Sequence, residues 1–205
     1  ADAEQTGAGG AQPTVPTWWW NVDANAFLGF NYQHRKFRDF SAWESQNWLM
    51  VTGQRPVGRG ALAISTMLSL EAVTLSDLGS PQVFQTGETF RRAPLIDYQH
   101  PHDLLMGLGA EYRRVTDRAT LSGTVELVGS PPVGPPAFMH RPSASENPQV
   151  PLSHHYMDSS HVTPGVLRGG IAVGEWRAEA SWFRGREPDE NRLDLDLGAL
   201  DSAAT

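Results

Sequence analysis

WWWNVDANAFLGFNY, residues 18–32, is the stretch that decides the fold class. Its even positions are Trp18, Trp20, Val22, Ala24, Ala26, Leu28, Phe30 and Tyr32, and its odd positions include Asn21, Asp23, Asn25, Gly29 and Asn31. Successive side chains of a strand point to opposite faces, so this alternation predicts one long strand, apolar on one face and polar on the other. A soluble strand is typically about 5–6 residues long. Aromatics stand at both ends of the apolar face, where the interfacial girdles of a membrane β-barrel lie.

Working outward, further strands are predicted over about 45–55, 61–71, 103–114, 119–128, 163–173 and 175–184. None keeps a helical period. An eighth, 192–198, alternates Leu193, Leu195 and Leu197 with Asp194 and Asp196. The connections near Pro56–Gly60, Val115–Arg118 and Gly174 are short enough for hairpin turns. Those over about 33–44, 72–102 and 129–162 are long and polar, and the last two carry prolines. Short and long connections therefore alternate, which in an up-and-down meander puts all the turns at one end and all the long loops at the other. Outer-membrane barrels have this asymmetry. The expected fold is all-β, an antiparallel meander forming an outer-membrane-type barrel over 18–205, preceded by a flexible arm at 1–17. A soluble antiparallel sandwich, whose strands also alternate, is the competing architecture.

Composition narrows the function classes. There is no Cys, so disulfides and thiolate metal sites are excluded. Net charge is −7, with Lys36 the lone lysine among 16 basic residues, which argues against a nucleic-acid groove. No apolar run approaches the roughly 18 residues of a transmembrane helix, but membrane strands need only about 9–11 residues with every second one apolar.

All seven histidines fall in or beside the long loops. Asp97-Tyr98-Gln99-His100-Pro101-His102-Asp103 and His154-His155-Tyr156-Met157-Asp158-Ser159-Ser160-His161 each bring imidazoles and carboxylates to the start of a strand. Such residues suit zinc, copper, nickel or iron, with neutral imidazole as ligand and a carboxylate orienting its other N–H. The candidate metal set is His100, His102, Asp103, His154, His155, Asp158 and His161. The alternative role for these side chains is to hydrogen-bond loop backbone at the rim. The Pro-rich segment from Gly129 to Pro142 reads either as a rigid surface loop or as a plug folded into the lumen. Ser153 and Asp158–His161 contain the residue types of a hydrolytic triad, but no G-x-S-x-G elbow is present. Asp23, Glu111, Glu126, Arg177 and Glu179 are expected to face the lumen.

Phe84–Glu88 (FQTGE), Asp97–Asp103 (DYQHPHD), Gly134–Pro148 (GPPAFMHRPSASENP), Ser153–His155 with Asp158–His161, and Gly185–Asp189 (GREPD) resemble a family of bacterial outer-membrane β-barrel proteins with no established activity. The resemblance spans about residues 18–202. It implies an envelope location, and genes of that family often lie near copper or heavy-metal handling genes. Its members continue beyond the region matching Asp201-Ser202, so the barrel is expected to be incomplete at its C-terminus, with Ser202–Thr205 unable to close it. The expected function is a porin-like or transport-associated barrel in the outer membrane, its partners the lipid bilayer and a small solute or metal ion. The alternatives are an envelope metal-binding protein without a pore, and an outer-membrane hydrolase.

Overall fold

A computed structural model describes residues 18–36, 39–152, 154–157 and 159–205, with backbone alone at 86–88, 156 and 159. The chain is all-β and antiparallel. Its strands are β1 (Trp19–Ala26), β2 (Gly29–Gln33), β3 (Phe40–Glu44), β4 (Asn47–Val57), β5 (Gly60–Leu68), β6 (Ser80–Phe90), β7 (Ala93–Gln99), β8 (Leu105–Val115), β9 (Thr120–Gly129), β10 (Thr163–Val173), β11 (Trp176–Phe183) and β12 (Ser202–Ala204). Two single-turn helices, α1 (Glu71–Thr74) and α2 (His154–Met157), lie in the connections. Eight strands form one sheet in the order β1-β4-β5-β8-β9-β10-β11-β12; β2-β3 and β6-β7 are separate hairpins.

The registers place the two sheet faces. One row crosses all eight strands through Trp20, Gly53, Ile64, Ala110, Val125, Leu167, Trp182 and Ala203. The adjacent row, on the opposite face, runs Trp19, Gln54, Ala63, Glu111, Thr124, Arg168, Ser181 and Ala204. The first row is apolar throughout and open: Trp20 is 61% exposed, Val125 62% and Trp182 54%. Trp20 lies flat over Gly53, where a Cβ would come within 2.7 Å of its ring. That packing explains why a strand interior tolerates glycine here.

The same registers put the hairpin turns at Gly58–Arg59, Thr116–Ala119 and Gly174–Glu175 at one end of the sheet and the long connections at the other. Gly58 and Gly174 have the positive φ that tight hairpin turns require. The expected alternation of short and long connections therefore holds.

Four expectations need correction. Trp18 to Tyr32 is not one unbroken strand: β1 and β2 are interrupted at Phe27 and Leu28. The pairing nevertheless keeps one register across the break, because Ala26 faces Asn47, Phe27 N–H donates to Gln46 O at 2.9 Å, and Gly29 faces Glu44. Residues 33–44 are not all loop, since β3 continues that pairing beyond the main sheet. The connection 72–102 contains the β6–β7 hairpin. The eighth strand is β12, on β11, and not 192–198. In that segment carboxylates satisfy local groups instead: Asp196 accepts from Asp189 N–H at 2.6 Å and Asp194 from the Asn191 amide at 2.7 Å. Such side-chain bonds compete with a strand ladder. Among the described residues β1 and β12 are the two edges of the sheet, and no sheet closes on itself.

The core does not lie beneath the apolar row. It lies against the opposite face, at the long-connection end, where Met67, Met106 and Val128 pack with Phe138, Met139, Ala144, Val150 and Val162, flanked by Trp48 and Met50. Trp48 and Met50 pair with Asn25 and Asp23 on that polar face. Asn25 also donates to Ser145 O at 2.7 Å. The 130–162 connection is thus folded onto the polar face. A second cluster, Phe40, Leu95 and Tyr98, joins the β2–β3 and β6–β7 hairpins.

Candidate functional site

The long connections are held together by buried polar side chains. Gln85 is fully buried and donates to Val150 O and Pro151 O at 3.1 and 3.2 Å, while Gln82 accepts from Val150 N–H. Asn31 donates to Pro81 O at 2.8 Å. Glu190 accepts from Arg91 N–H, Arg92 N–H and Thr89 Oγ1 at 2.7, 3.2 and 3.1 Å, holding the segment after β11 against the β6–β7 turn. Arg91 and Arg92 both have positive φ, the conformation of a tight hairpin turn. The backbone N–H groups aimed at Glu190 hold its carboxyl below the usual range.

Inside this assembly five histidines meet. Ring centroids are separated by 4.8 Å for His154–His161, 5.2 Å for His102–His161, 6.2 Å for His102–His154, 5.3 Å for His154–His155 and 5.9 Å for His100–His155. One donor atom each from His102, His154 and His161 lie within 4.8 Å of one another. His102 is 4% exposed and His154 1%, with Phe138 against both rings. The residues come together because the strands that follow 100–103 and 154–161, β8 and β10, both pair with β9 and start at the same end.

His102 is fixed by a residue distant in sequence. Glu71 opens α1, its own N–H donating to Ser69 Oγ at 3.1 Å, and is 6% exposed. Its Oε2 accepts from the His102 backbone N–H at 3.0 Å and from the His102 ring at Nδ1, 2.7 Å away. A carboxylate only accepts, so Nδ1 carries the hydrogen, which in the neutral ring leaves the lone pair on Nε2. Nε2 is buried with no hydrogen-bond partner among the described residues.

Burial depresses the basicity of His100 and His154, reinforced for His100 by Arg192 and neighbouring imidazoles and for His154 by His161 and His102; both are neutral at physiological pH. Burial raises the Asp103 carboxyl, against the pull of Arg192, whose guanidinium donates to it at 3.2 Å. The histidines, Asp103, Glu187 and Arg192 line a small cavity of about 30 Å³.

Of the seven residues singled out from sequence, His100, His102, His154, His155 and His161 converge. Asp103 borders the same cavity, but its carboxylate is engaged by Arg192. Asp158 lies outside the described residues, as does Ser153. His34 and His140 stand apart, the first paired with Asp39 at 2.8 Å and the second against Trp48. Sequence reasoning missed Glu71 and Arg192. The first lies 31 residues from His102 and the second 89 from Asp103, with no motif joining either pair. Asp23, Glu111, Glu126, Arg177 and Glu179 all fall on the polar face, with Arg113–Glu111 and Arg177–Glu179 paired at 2.7 and 2.6 Å.

Comparison of the chain with protein-family models, with curated proteins and with solved structures returned no match.

Proposed function

We propose that this chain forms the wall of a bacterial outer-membrane β-barrel of porin-like or transport-associated function, with its long connections folded inward as a plug. The observation that carries the reading is the apolar row running from Trp20 to Ala203 with open exposure while the packed loops sit on the other face. In a soluble sandwich the apolar face is the buried one. Eight strands about 4.8 Å apart make a face on the order of 1,000 Å², larger than the few hundred Å² a soluble monomer leaves open.

Dimensions and girdles support the same reading. The eleven-residue strands β4, β8 and β10 each rise about 36 Å, which at a tilt of about 45° spans about 25 Å, the height of an outer-membrane apolar band. Trp20, Tyr112 and Trp176 stand exposed toward the turn end, and Phe30, Tyr32 and Trp43 toward the loop end. The polar row then faces the lumen, and Phe138, Met139 and Ala144 obstruct it on the long-loop side. In lipid every backbone N–H and C=O needs a partner, so a closed barrel requires pairing at both sheet edges, which among the described residues are β1 and β12.

Fractionation tests the proposal. The protein is expected in the outer-membrane fraction, extracted only by detergent and tightly associated with phospholipid vesicles after refolding. Folded, monodisperse protein in detergent-free buffer refutes it.

A further inference from the structure

We propose that His102, His154 and His161 form a three-imidazole binding site for one divalent first-row transition-metal ion, of the zinc or copper(II) class, with Glu71 as the positioning residue for His102. The inference is independent of whether the apolar face meets lipid.

The donor set is the first reason. Three imidazoles with no thiolate suit zinc, copper or nickel, and not the oxygen-seeking calcium or magnesium. Three histidines from two separate connections each bring one donor atom within 4.8 Å of the others.

The second reason is the environment of His102. Metal-bound histidines almost always give their other ring N–H to a carboxylate or carbonyl, which sets the tautomer and aims the lone pair at the ion. Glu71 does this at 2.7 Å while also taking the His102 main-chain N–H. The outcome is a ring nine-tenths buried whose Nε2 is unpartnered among the described residues. Leaving such a group unpaired costs about 1–3 kcal/mol, and a metal bond removes that cost.

Geometry is close to what an ion needs. Three nitrogens 2.0–2.1 Å from a tetrahedral ion are about 3.3 Å apart, so binding draws the rings together by side-chain rotation. The adjoining cavity of about 30 Å³ has room for one or two waters. The fourth coordination position therefore goes to solvent, beside Glu187 and Arg192.

The test uses the full chain carrying no affinity-tag histidines, stripped with chelator and held in detergent micelles at pH 7.5. Isothermal titration with zinc chloride and with copper(II) chloride is expected to show one ion per chain. His154→Ala/His161→Ala should abolish that uptake, Glu71→Gln should weaken it about 10–100-fold, and His34→Ala should leave it unchanged. Because the double variant removes buried side chains and can fail to fold, X-ray absorption on the zinc-loaded native protein supplies a second reading. Three imidazole nitrogens at 2.0–2.1 Å are expected. No saturable uptake, uptake undiminished in the folded double variant, or fewer than three imidazoles around the ion overturns the proposal.

Discussion

Val125→Arg separates a lipid-facing sheet from a solvated one. Val125 sits midway along β9, in the apolar row between Ala110 and Leu167, and is 62% exposed. If that face meets hydrocarbon, an arginine near the midplane costs about 2–4 kcal/mol, a loss of about 30- to 900-fold in the folding equilibrium. If it meets water, a surface substitution costs within about 0.5 kcal/mol, and even the full span of strand propensity is about 1 kcal/mol. Gln54→Arg is the companion change: Gln54 is exposed in the polar row, on the opposite face from Val125. It should cost less than about 0.5 kcal/mol. The assay is a urea titration of the chain folded into phosphatidylcholine vesicles, followed by tryptophan fluorescence. Equal midpoints for Val125→Arg and the native chain refute the lipid-facing assignment.

Three further outcomes are expected. Gly134 has φ of 75°, and a Cβ there would lie 1.9 Å from Met157 O, so Gly134→Ala should destabilise the packed 130–162 connection by about 2 kcal/mol or more and perturb α2 with its His154 and His155, read as lost amide protection over 150–162. Arg192→Met leaves Asp103 buried without its cation and should cost about 3–5 kcal/mol, most of it recovered in Arg192→Met/Asp103→Asn; denaturation midpoints of the three proteins decide. The Arg35 guanidinium, with help from Phe84 N–H, holds the Asp97 carboxyl below its ordinary value. A folded pKa below the unfolded one means that this contribution is present above about pH 3.9 and is lost as pH falls through the folded value. The gap between urea midpoints of native and Asp97→Asn protein should therefore narrow as pH is lowered from 5 to 2, and a gap unchanged over that range counts against the assignment.

Much of the fold was legible because strand pairing in a meander is written locally. Strand-length segments without a helical period at 61–71, 119–128, 163–173 and 175–184 located β5, β9, β10 and β11 to within a few residues, and connection length alone ordered the ends of the sheet. Periodicity also assigned Asp23, Glu111 and Glu179 to one face. It failed where local hydrogen bonding or distant packing overrides the pattern. Leu193, Leu195 and Leu197 alternate like a strand, yet Asp194 and Asp196 bind their own loop. Phe40 and Glu44 are both buried at the ends of β3, by contacts with Tyr98 and Ser80 on another hairpin.

The site divides along the same line. The sequence by itself determined that a cysteine-free, histidine-bearing set of long loops shares one end of the sheet, since topology follows from alternation and turn length. Which histidines meet was a tertiary decision, taken when the 130–162 connection folded across the polar face and its Phe138 packed against the rings of His102 and His154. Glu71 reaches His102 where the β5–β8 pairing runs on past Leu68 and Leu105, and Arg192 reaches Asp103 beside the bond from Leu104 N–H to Arg192 O. Neither pairing has a local signature, because a buried charge is matched by whatever chain packs beside it, however far away in sequence.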